Sequence, residues 1–129
     1  MREIKFRAWL KNENRMITNI SSIKLDINCI YYDNNQMFSY ERASFDEIEL
    51  MQYVGLKDKN GVKIFEGDIV KHIKGNTYTV EFYNGGFKLL RFNIYEGKPV
   101  SYHDFEVRRL TEMEVIGNIY ENKELLGWL

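Results

Sequence analysis

The glycines and lysines of YVGLKDKNGVKIFEGDIVK, residues 53–71, are residue types that could hold a phosphate group. A P-loop has the pattern G-x-x-x-x-G-K-[ST] and leads into a helix, so that backbone N–H groups converge on the anion. Here Gly55, Gly61 and Gly67 recur at every sixth position, and β-forming residues follow them. The spacing excludes a P-loop. Asn60-Gly61 instead predicts a type I′ hairpin turn, which needs a positive φ at both central residues.

Thiol and imidazole side chains are too few for a metal site. Cys29 is the one cysteine, so the chain can form neither an internal disulfide nor a multi-cysteine zinc site, and it fits a reducing compartment. Its apolar and aromatic neighbours favour an inert buried thiol over a nucleophile. His72 and His103 have no third ligand at a fixed spacing, although Asp68 or Asp104 could add oxygen. We interpret both histidines as structural or solvent-facing.

Two pairs of glutamates are the remaining candidates for catalysis. Glu47 with Glu49, and Glu112 with Glu114, stand two residues apart and could share one face of a strand, as a two-carboxylate site requires. Solvated strand faces carry such pairs equally well. No serine stands in a G-x-S-x-G context. We therefore predict no catalytic residue, no cofactor and no metal, and a protein that is not an enzyme.

Charge patterning gives modest support to contact with another macromolecule. Between residues 57 and 74 five lysines oppose three acids, whereas between 104 and 124 six acids oppose three bases. A positive turn region and a negative far end could associate head to tail or orient a partner. An ordinary surface of mixed charge would show the same pattern. The predicted contact surface comprises eight residues: Lys57, Lys59, Lys63, Lys71, Lys74, Tyr83, Lys88 and Arg91.

The last three of these residues could also form a nucleic-acid surface. In FKLLRF, beside TYTVEFY, Lys88 and Arg91 could reach phosphates while Tyr83 stacks on a base. The competing interpretation, which we favour, is that these aromatic residues fill the core, because an aromatic content of 15% must be buried somewhere. Nucleic acid is thus a possible partner but not the favoured one.

Composition narrows the class of protein. The 129 residues suit one domain or two small lobes, and the apolar fraction of 44% with a single proline indicates a folded chain. The net charge of -1 provides no overall attraction to nucleic acid or an anionic membrane. No run of about 18 apolar residues occurs. We expect neither a signal peptide nor a membrane span.

Hydrophobic alternation predicts strands along most of the chain. In MREIKFRAW, Ile4, Phe6 and Ala8 would face one way. Residues 11–14 read as a loop, RMITNISSIKLDIN as one strand, and residues 33–35 as the turn of a hairpin. The stretch 44–54 fits either a strand or a helix, and we favour the strand.

Glycines punctuate the second half of the chain. Gly55 is predicted to end the preceding strand and Gly67 to make a bulge or bend. Turns are predicted at Gly75-Asn76 and at residues 84–86, a short strand at 106–110, and a helical turn after Asn122 as N-cap. Short strands with glycine turns over residues 62–120 predict a small, strongly bent barrel.

Four segments resemble the YopX family of proteins encoded by tailed phages and prophages: MREIKFRAW, LMQYVGLKDKNGVKIFEGDIVK, VEFYNGGFKL and EVIGNIYENKELL. The pattern G-L-x-D-x-x-G-x-x-I-x-E-G-D-I-V is specific, whereas residues 18–45 and 93–105 contribute nothing to the resemblance. It implies a mostly β fold containing an SH3-like barrel, over about residues 54–120, and a phage gene product working in the bacterial cytoplasm. It implies no activity, since the family has no established catalytic or binding residues to transfer.

Together these observations predict a mainly β protein with at most short helical turns. An N-terminal β-rich lobe, residues 1–53, would pack on an SH3-like barrel, residues 54–129, as one folding unit. The predicted function is that of a phage or prophage accessory protein, a non-catalytic protein-interaction module that self-associates or binds a phage or host protein. The alternative is a weak nucleic-acid-binding module. Edge strands around residues 77–83 or 2–9 are the predicted assembly surfaces.

Overall fold

The computed structural model describes residues 2–34, 39–93, 98–104 and 110–126, and the side chains of these except 92–93 and 98–104. The described chain is mainly β, which confirms the predicted fold class. The strands are β1 (Phe6–Leu10), β2 (Arg15–Ile17), β3 (Ile20–Lys24), β4 (Cys29–Asp33), β5 (Tyr40–Ser44), β6 (Ile48–Lys57), β7 (Lys63–Phe65), β8 (Asp68–His72), β9 (Thr77–Tyr83), β10 (Gly86–Asn93), β11 (Lys98–Asp104) and β12 (Met113–Asn118). Short 3-10 turns span Phe45–Glu47 and Lys123–Leu126. Within the described ranges, no helix has the length and apolar character needed to cross a membrane.

The chain divides into two compact units. The N-terminal unit is Ile4–Gln52, and the C-terminal unit is Tyr53–Leu129 together with Met1–Glu3. Strand β6 runs through the boundary, so its first half belongs to one unit and its second half to the other. That the whole chain folds as one unit remains a prediction.

The N-terminal unit contains two antiparallel arrangements, β2-β1-β6 and β3-β4-β5. Its core cluster of buried residues comprises Ala8, Leu10, Ile17, Ile30, Tyr32, Ala43 and Ile48. The alternation predicted for the first strand holds from Phe6, which pairs with Gln52, whereas Ile4 lies before the ladder and is 65% exposed. The strand therefore begins later than its hydrophobic pattern suggested, because none of the described strands pairs with residues 2–5.

The predicted strand RMITNISSIKLDIN is wrong as a single element. It forms β2 and β3, with a turn at residues 25–28 before β4. Asn28 ends that turn with a φ of 53°, a left-handed conformation that asparagine tolerates better than most residues. The predicted hairpin is confirmed as the β4–β5 pair, in which Asp33 lies opposite Tyr40, although its tip at residues 35–38 lies outside the described residues.

The C-terminal unit is built on a strongly curled antiparallel sheet of order β11-β10-β9-β8-β12. Its buried core comprises Ile64, Val70, Tyr78, Val80, Leu89, Leu110 and Met113. The strand β12 carries an irregularity between Val115 and Gly117, where its register against β8 shifts. An extra residue of this kind increases local twist and helps a small sheet to curl. The predicted strand at 106–110 lies outside the described residues except Leu110, which is helical.

Strand β6 resolves the ambiguous stretch as a strand. Before it, Ser44 and Glu47 form a capping box: the Ser44 N–H donates to Glu47 Oε1 at 3.0 Å, and this bond lowers the pKa of Glu47. The prediction that Gly55 ends the strand is wrong. Gly55 lies inside β6 with a φ of 90°, where the register against β7 shifts between Tyr53 and Lys57. A positive φ within a strand creates a bulge, which glycine adopts without steric cost.

The type I′ turn lies at a different position from the one predicted. At Asn60-Gly61 only Gly61 has a positive φ, 79°, and a four-residue turn closes when its N–H donates to Asp58 O at 3.0 Å. Both central residues are positive instead at Asn84 (54°) and Gly85 (85°), between β9 and β10. The prediction failed because the Asp58 carboxylate accepts hydrogen bonds from backbone N–H groups of the same loop, which favours another turn.

The predicted helical turn after Asn122 is confirmed, but the Asn122 side chain does not cap it. Asn122 O accepts from Leu125 N, whereas Asn122 Oδ1 turns back and accepts from Asn118 N at 3.1 Å. The Asn118 side chain in turn accepts from the N–H groups of Tyr120 and Glu121. The asparagines therefore stabilise the chain reversal after β12.

Candidate interaction surface

The five predicted lysines are placed on strands and turns of the C-terminal unit. Lys63 forms an ion pair with Glu3 at 3.0 Å and lies 5.7 Å from the ring centroid of Tyr53. Lys57 lies directly opposite Lys63 on β6, and Lys74 is exposed in the β8–β9 turn. Exposed ion pairs of this kind contribute little individually, so these lysines are a solvated surface rather than a built anion site.

The acidic segment predicted to be a negative far end lies beside the lysines. Glu114, on β12, faces Lys71 of β8 across the ladder and approaches Lys59 with 3.8 Å between Nζ and Oε2. Glu112 contacts His72 on β8, where Oε2 lies 2.7 Å from Nε2. The premise of the head-to-tail hypothesis, two ends of opposite charge, does not hold for Glu112 and Glu114, because β12 and β8 are neighbours. Head-to-tail association itself remains a prediction.

Two of the acids in the charge balance of residues 57–74 are buried. Asp58 is 6% exposed and Asp68 is 1% exposed. Asp58 accepts from the N–H groups of Asn60, Val62 and Val115, and Asp68 Oδ2 accepts from Phe65 N at 2.7 Å. These are the acids of the G-L-x-D and E-G-D parts of the motif. Backbone N–H groups stabilise both buried carboxylates, so their burial is compensated by hydrogen bonds within the protein.

The aromatic residues of the β9–β10 hairpin give the strongest candidate for a contact surface. Phe82 is 60% exposed and Tyr83 is 44% exposed, at the end of β9. Phe82 packs edge-on against Phe87, with 5.5 Å between ring centroids. The type I′ turn at Asn84-Gly85 joins β9 and β10, the two strands that carry these side chains. Phe82 and Phe87 lie on one face of the hairpin, and Tyr83 and Lys88 lie on the other. We call these four residues, on both faces of the hairpin end, the hairpin surface.

The three residues predicted to bind nucleic acid are divided between two faces. Tyr83 pairs across the hairpin with Gly86, and the Nζ of Lys88 lies over Gly86, so tyrosine and lysine share a face. Arg91 pairs with Tyr78 and belongs to the opposite face. Glu81, directly opposite Lys88, is half-buried, and this burial raises its pKa. One base and one acid thus lie together on the Tyr83 face.

The strands predicted as free edges are central strands. Residues 77–83 form β9, which has β8 and β10 as neighbours, and β1 has β2 and β6. The alternation of apolar and polar residues cannot distinguish an edge strand from a central strand of a sheet, since both kinds of strand have the same period of two. Edge positions in the described sheets belong instead to strands such as β3 and β12. The outer side of β12 is partly covered, because Lys59 N donates to Met113 O at 2.9 Å.

The glutamate pairs predicted from spacing do not form two-carboxylate sites. Glu47 Oε1 accepts a hydrogen bond from Ser44 N, whereas Glu49 forms an ion pair with Lys11 at 3.4 Å. In the described part of the chain, no three His, Cys, Asp or Glu side chains come together in a way that could hold a metal ion. Cys29 is buried, in agreement with its apolar neighbours, and His72 packs against Glu112; the side chain of His103 lies outside the description.

Comparisons with known proteins place the chain among relatives. A family model described as YopX protein matches residues 5–127. Among solved structures, the chain is similar to the crystal structure of protein EF1440 from Enterococcus faecalis, with 27% sequence identity and a TM-score of 0.64, over 98% of this chain and 99% of that chain. Among curated proteins, none matches. The similarity extends over nearly the full length of both chains, and the fold described above is therefore a shared one.

Proposed function

The chain belongs to the YopX family, and on this basis we propose that it is a phage or prophage accessory protein that works through protein contacts in the cytoplasm of the bacterial host. It is a non-catalytic interaction module, and its first partner is a second copy of itself. Support for a non-catalytic role comes from the polar groups described above, since the buried Asp58 accepts backbone hydrogen bonds and the exposed Glu49 and Glu114 form separate ion pairs.

The exposed aromatic rings of the hairpin surface carry this proposal. Large aromatic side chains with few rotatable bonds are enriched among residues that dominate protein interfaces. Phe82 and Tyr83 are held on a short type I′ hairpin, so little conformational entropy is lost when they are buried. Glu81 and Lys88 face each other on one side of this hairpin, so two copies meeting there bring no uncompensated like charges together.

Light scattering over a wide range of protein concentration tests self-association. We expect the mass to rise from 15.5 kDa towards about twice that value. Phe82→Ser combined with Tyr83→Ser should weaken association by about 30-fold or more, because it removes the exposed aromatic ring from each face of the hairpin.

The matched control is Tyr40→Ser. Tyr40 is an aromatic residue that is 62% exposed but belongs to the N-terminal unit, and its replacement should leave association unchanged. A wild-type chain that stays at 15.5 kDa throughout would refute the self-association.

Weak binding of single-stranded nucleic acid is the second candidate function. The observation in its favour is the shared face of Tyr83 and Lys88, which offers one stacking ring beside one cation. Fluorescence anisotropy with a labelled single-stranded oligonucleotide at low salt distinguishes the two functions. Binding that weakens with salt and is lost in Lys88→Gln would support it, whereas no salt-sensitive binding would eliminate it.

A further inference from the structure

A groove of about 330 Å³ opens on the N-terminal unit, and the proposed function does not use it. One wall is the segment that precedes and begins β1, with Ile4 and Phe6, and the other is the edge strand β3, with Ile20 and Ile23. The volume is at the lower end of the range for pockets that bind ligands. Four apolar side chains line the groove together with Lys5, Thr18, Ser21 and Ser22, and the second wall is a strand.

The groove exists because β2 is short. On its β2 side, β1 is paired from Ala8, opposite Ile17, to Leu10. After Ile17 the chain leaves this sheet and enters β3 of the other one. Residues 4–6 therefore extend beyond β2, and the space beside them is bounded on its far side by β3.

The second wall offers backbone hydrogen-bonding groups. Phe45 N donates to Asn28 O, and Asn34 N donates to Ser39 O. The backbone N–H and C=O groups of the even-numbered residues of β4 therefore point towards β5. The backbone groups of Cys29 therefore point towards β3, where Cys29 pairs with Lys24. Because hydrogen-bonding directions alternate along a strand, the N–H and C=O of Ile23 point away from β4, towards the open edge. The irregularity between Ile20 and Ser22 limits this edge to a short segment.

Charge indicates what would occupy this groove. Lys5 lines it and is exposed, and Lys24 follows Ile23 at the end of the edge strand. A partner with carboxylates would be attracted to both cations. A second copy of β3 would bring another lysine, its own Lys24, rather than a carboxylate to this edge, so it lacks the complementary charge.

We propose that the groove binds a short extended segment of another protein, with apolar side chains at alternate positions and flanking carboxylates. The segment adds to the edge of β3 by hydrogen bonds to the backbone of Ile23, and its apolar side chains contact Ile4, Phe6 and Ile20. Its carboxylates approach Lys5 and Lys24. This inference is independent of the hairpin surface, which lies in the other unit.

The test is a titration of the ¹⁵N-labelled full chain with the blocked peptide Glu-Val-Thr-Val-Glu, followed by amide chemical shifts. We expect saturable shifts concentrated at residues 4–6 and 20–24. A peptide of the same sequence with N-methylated valines should not bind, because it lacks donors for the edge of β3. Shifts scattered over the surface, or equal binding of the methylated peptide, would overturn the proposal.

A charge-swap pair makes the assignment specific. Lys5→Glu should weaken the glutamate peptide about threefold and strengthen the matching Lys-Val-Thr-Val-Lys peptide by a similar factor. Lys74→Glu, the same change at an exposed lysine of the β8–β9 turn, should alter neither affinity. The Phe82→Ser and Tyr83→Ser variant should bind the peptide normally, so failure of the hairpin proposal and failure of this one give different results. Equal effects of Lys5→Glu and Lys74→Glu would contradict the assignment.

Discussion

Replacement of Asp58 by alanine is expected to lower the free energy of unfolding by about 3 to 5 kcal/mol, because it leaves three backbone donors without their acceptor. The carboxylate joins its own turn to β12: Oδ1 accepts from Asn60 N at 2.8 Å and Val62 N at 2.9 Å, and Oδ2 accepts from Val115 N at 2.9 Å. The check is urea denaturation followed by far-ultraviolet circular dichroism.

Two variants separate this role from a general effect of changing the turn. Asp58→Asn keeps an oxygen for the Asn60 and Val62 donors but places an NH₂ group against Val115 N, so its cost should be intermediate. Lys59→Ala changes the neighbouring residue, whose exposed ion pair with Glu114 is long, and should alter stability by less than about 0.5 kcal/mol. If Asp58→Ala were as mild as Lys59→Ala, the carboxylate would not be the link between the turn and β12.

Gly117→Ala is expected to destabilise the C-terminal unit by about 2 to 3 kcal/mol through overpacking. A Cβ at this position would lie 2.5 Å from Asn122 Oδ1 and 2.9 Å from Asn122 Cβ. The asparagine cannot rotate away without cost, because Oδ1 accepts from Asn118 N. Thermal unfolding monitored by circular dichroism should show the loss as a lower midpoint.

A glycine in a similar backbone but a different environment serves as the control. Gly86, at the start of β10, has only Lys88 Nζ near an added Cβ, at 3.9 Å. Its φ is not positive, so Gly86→Ala should be neutral or stabilise the chain by about 0.5 kcal/mol. Combining Gly117→Ala with Asn122→Gly should cost less than the sum of the single changes, since the clash is gone. Strict additivity would contradict the steric explanation.

Both predictions concern residues in the motif segments that resemble the YopX family. Asp58 follows Gly55 and precedes Gly61 in the second segment, and Gly117 and Asn122 lie in the last one. Their contacts are internal: a loop held against β12, and a chain reversal closed by asparagine side chains. The roles of Asp58 and Gly117 in these two segments are therefore explained by folding requirements, whereas the segment VEFYNGGFKL carries the hairpin surface and MREIKFRAW supplies one wall of the groove beside β3.

Local features were predictable from the sequence. Alternating side chains identified β1, β9 and β6, and the glycine and asparagine pairs identified most of the chain reversals. These features depend on residues within a few positions of one another, where steric preference and period-two burial act directly. The exact turn type at Asn60-Gly61 was missed because a neighbouring carboxylate competed for the backbone donors.

The sequence by itself determined a mainly β chain, the positions of most of its turns, and a buried thiol, because each follows from short-range chemistry. Only the tertiary structure decided which strands are edges, which acids are buried, and which charges meet. Val115 reaches Asp58 across 57 residues, and Glu114 compensates Lys59 and Lys71 because β12 lies beside β8. Strand order is set by the packing of distant segments into a common core, and no local pattern encodes which strand becomes the neighbour of another.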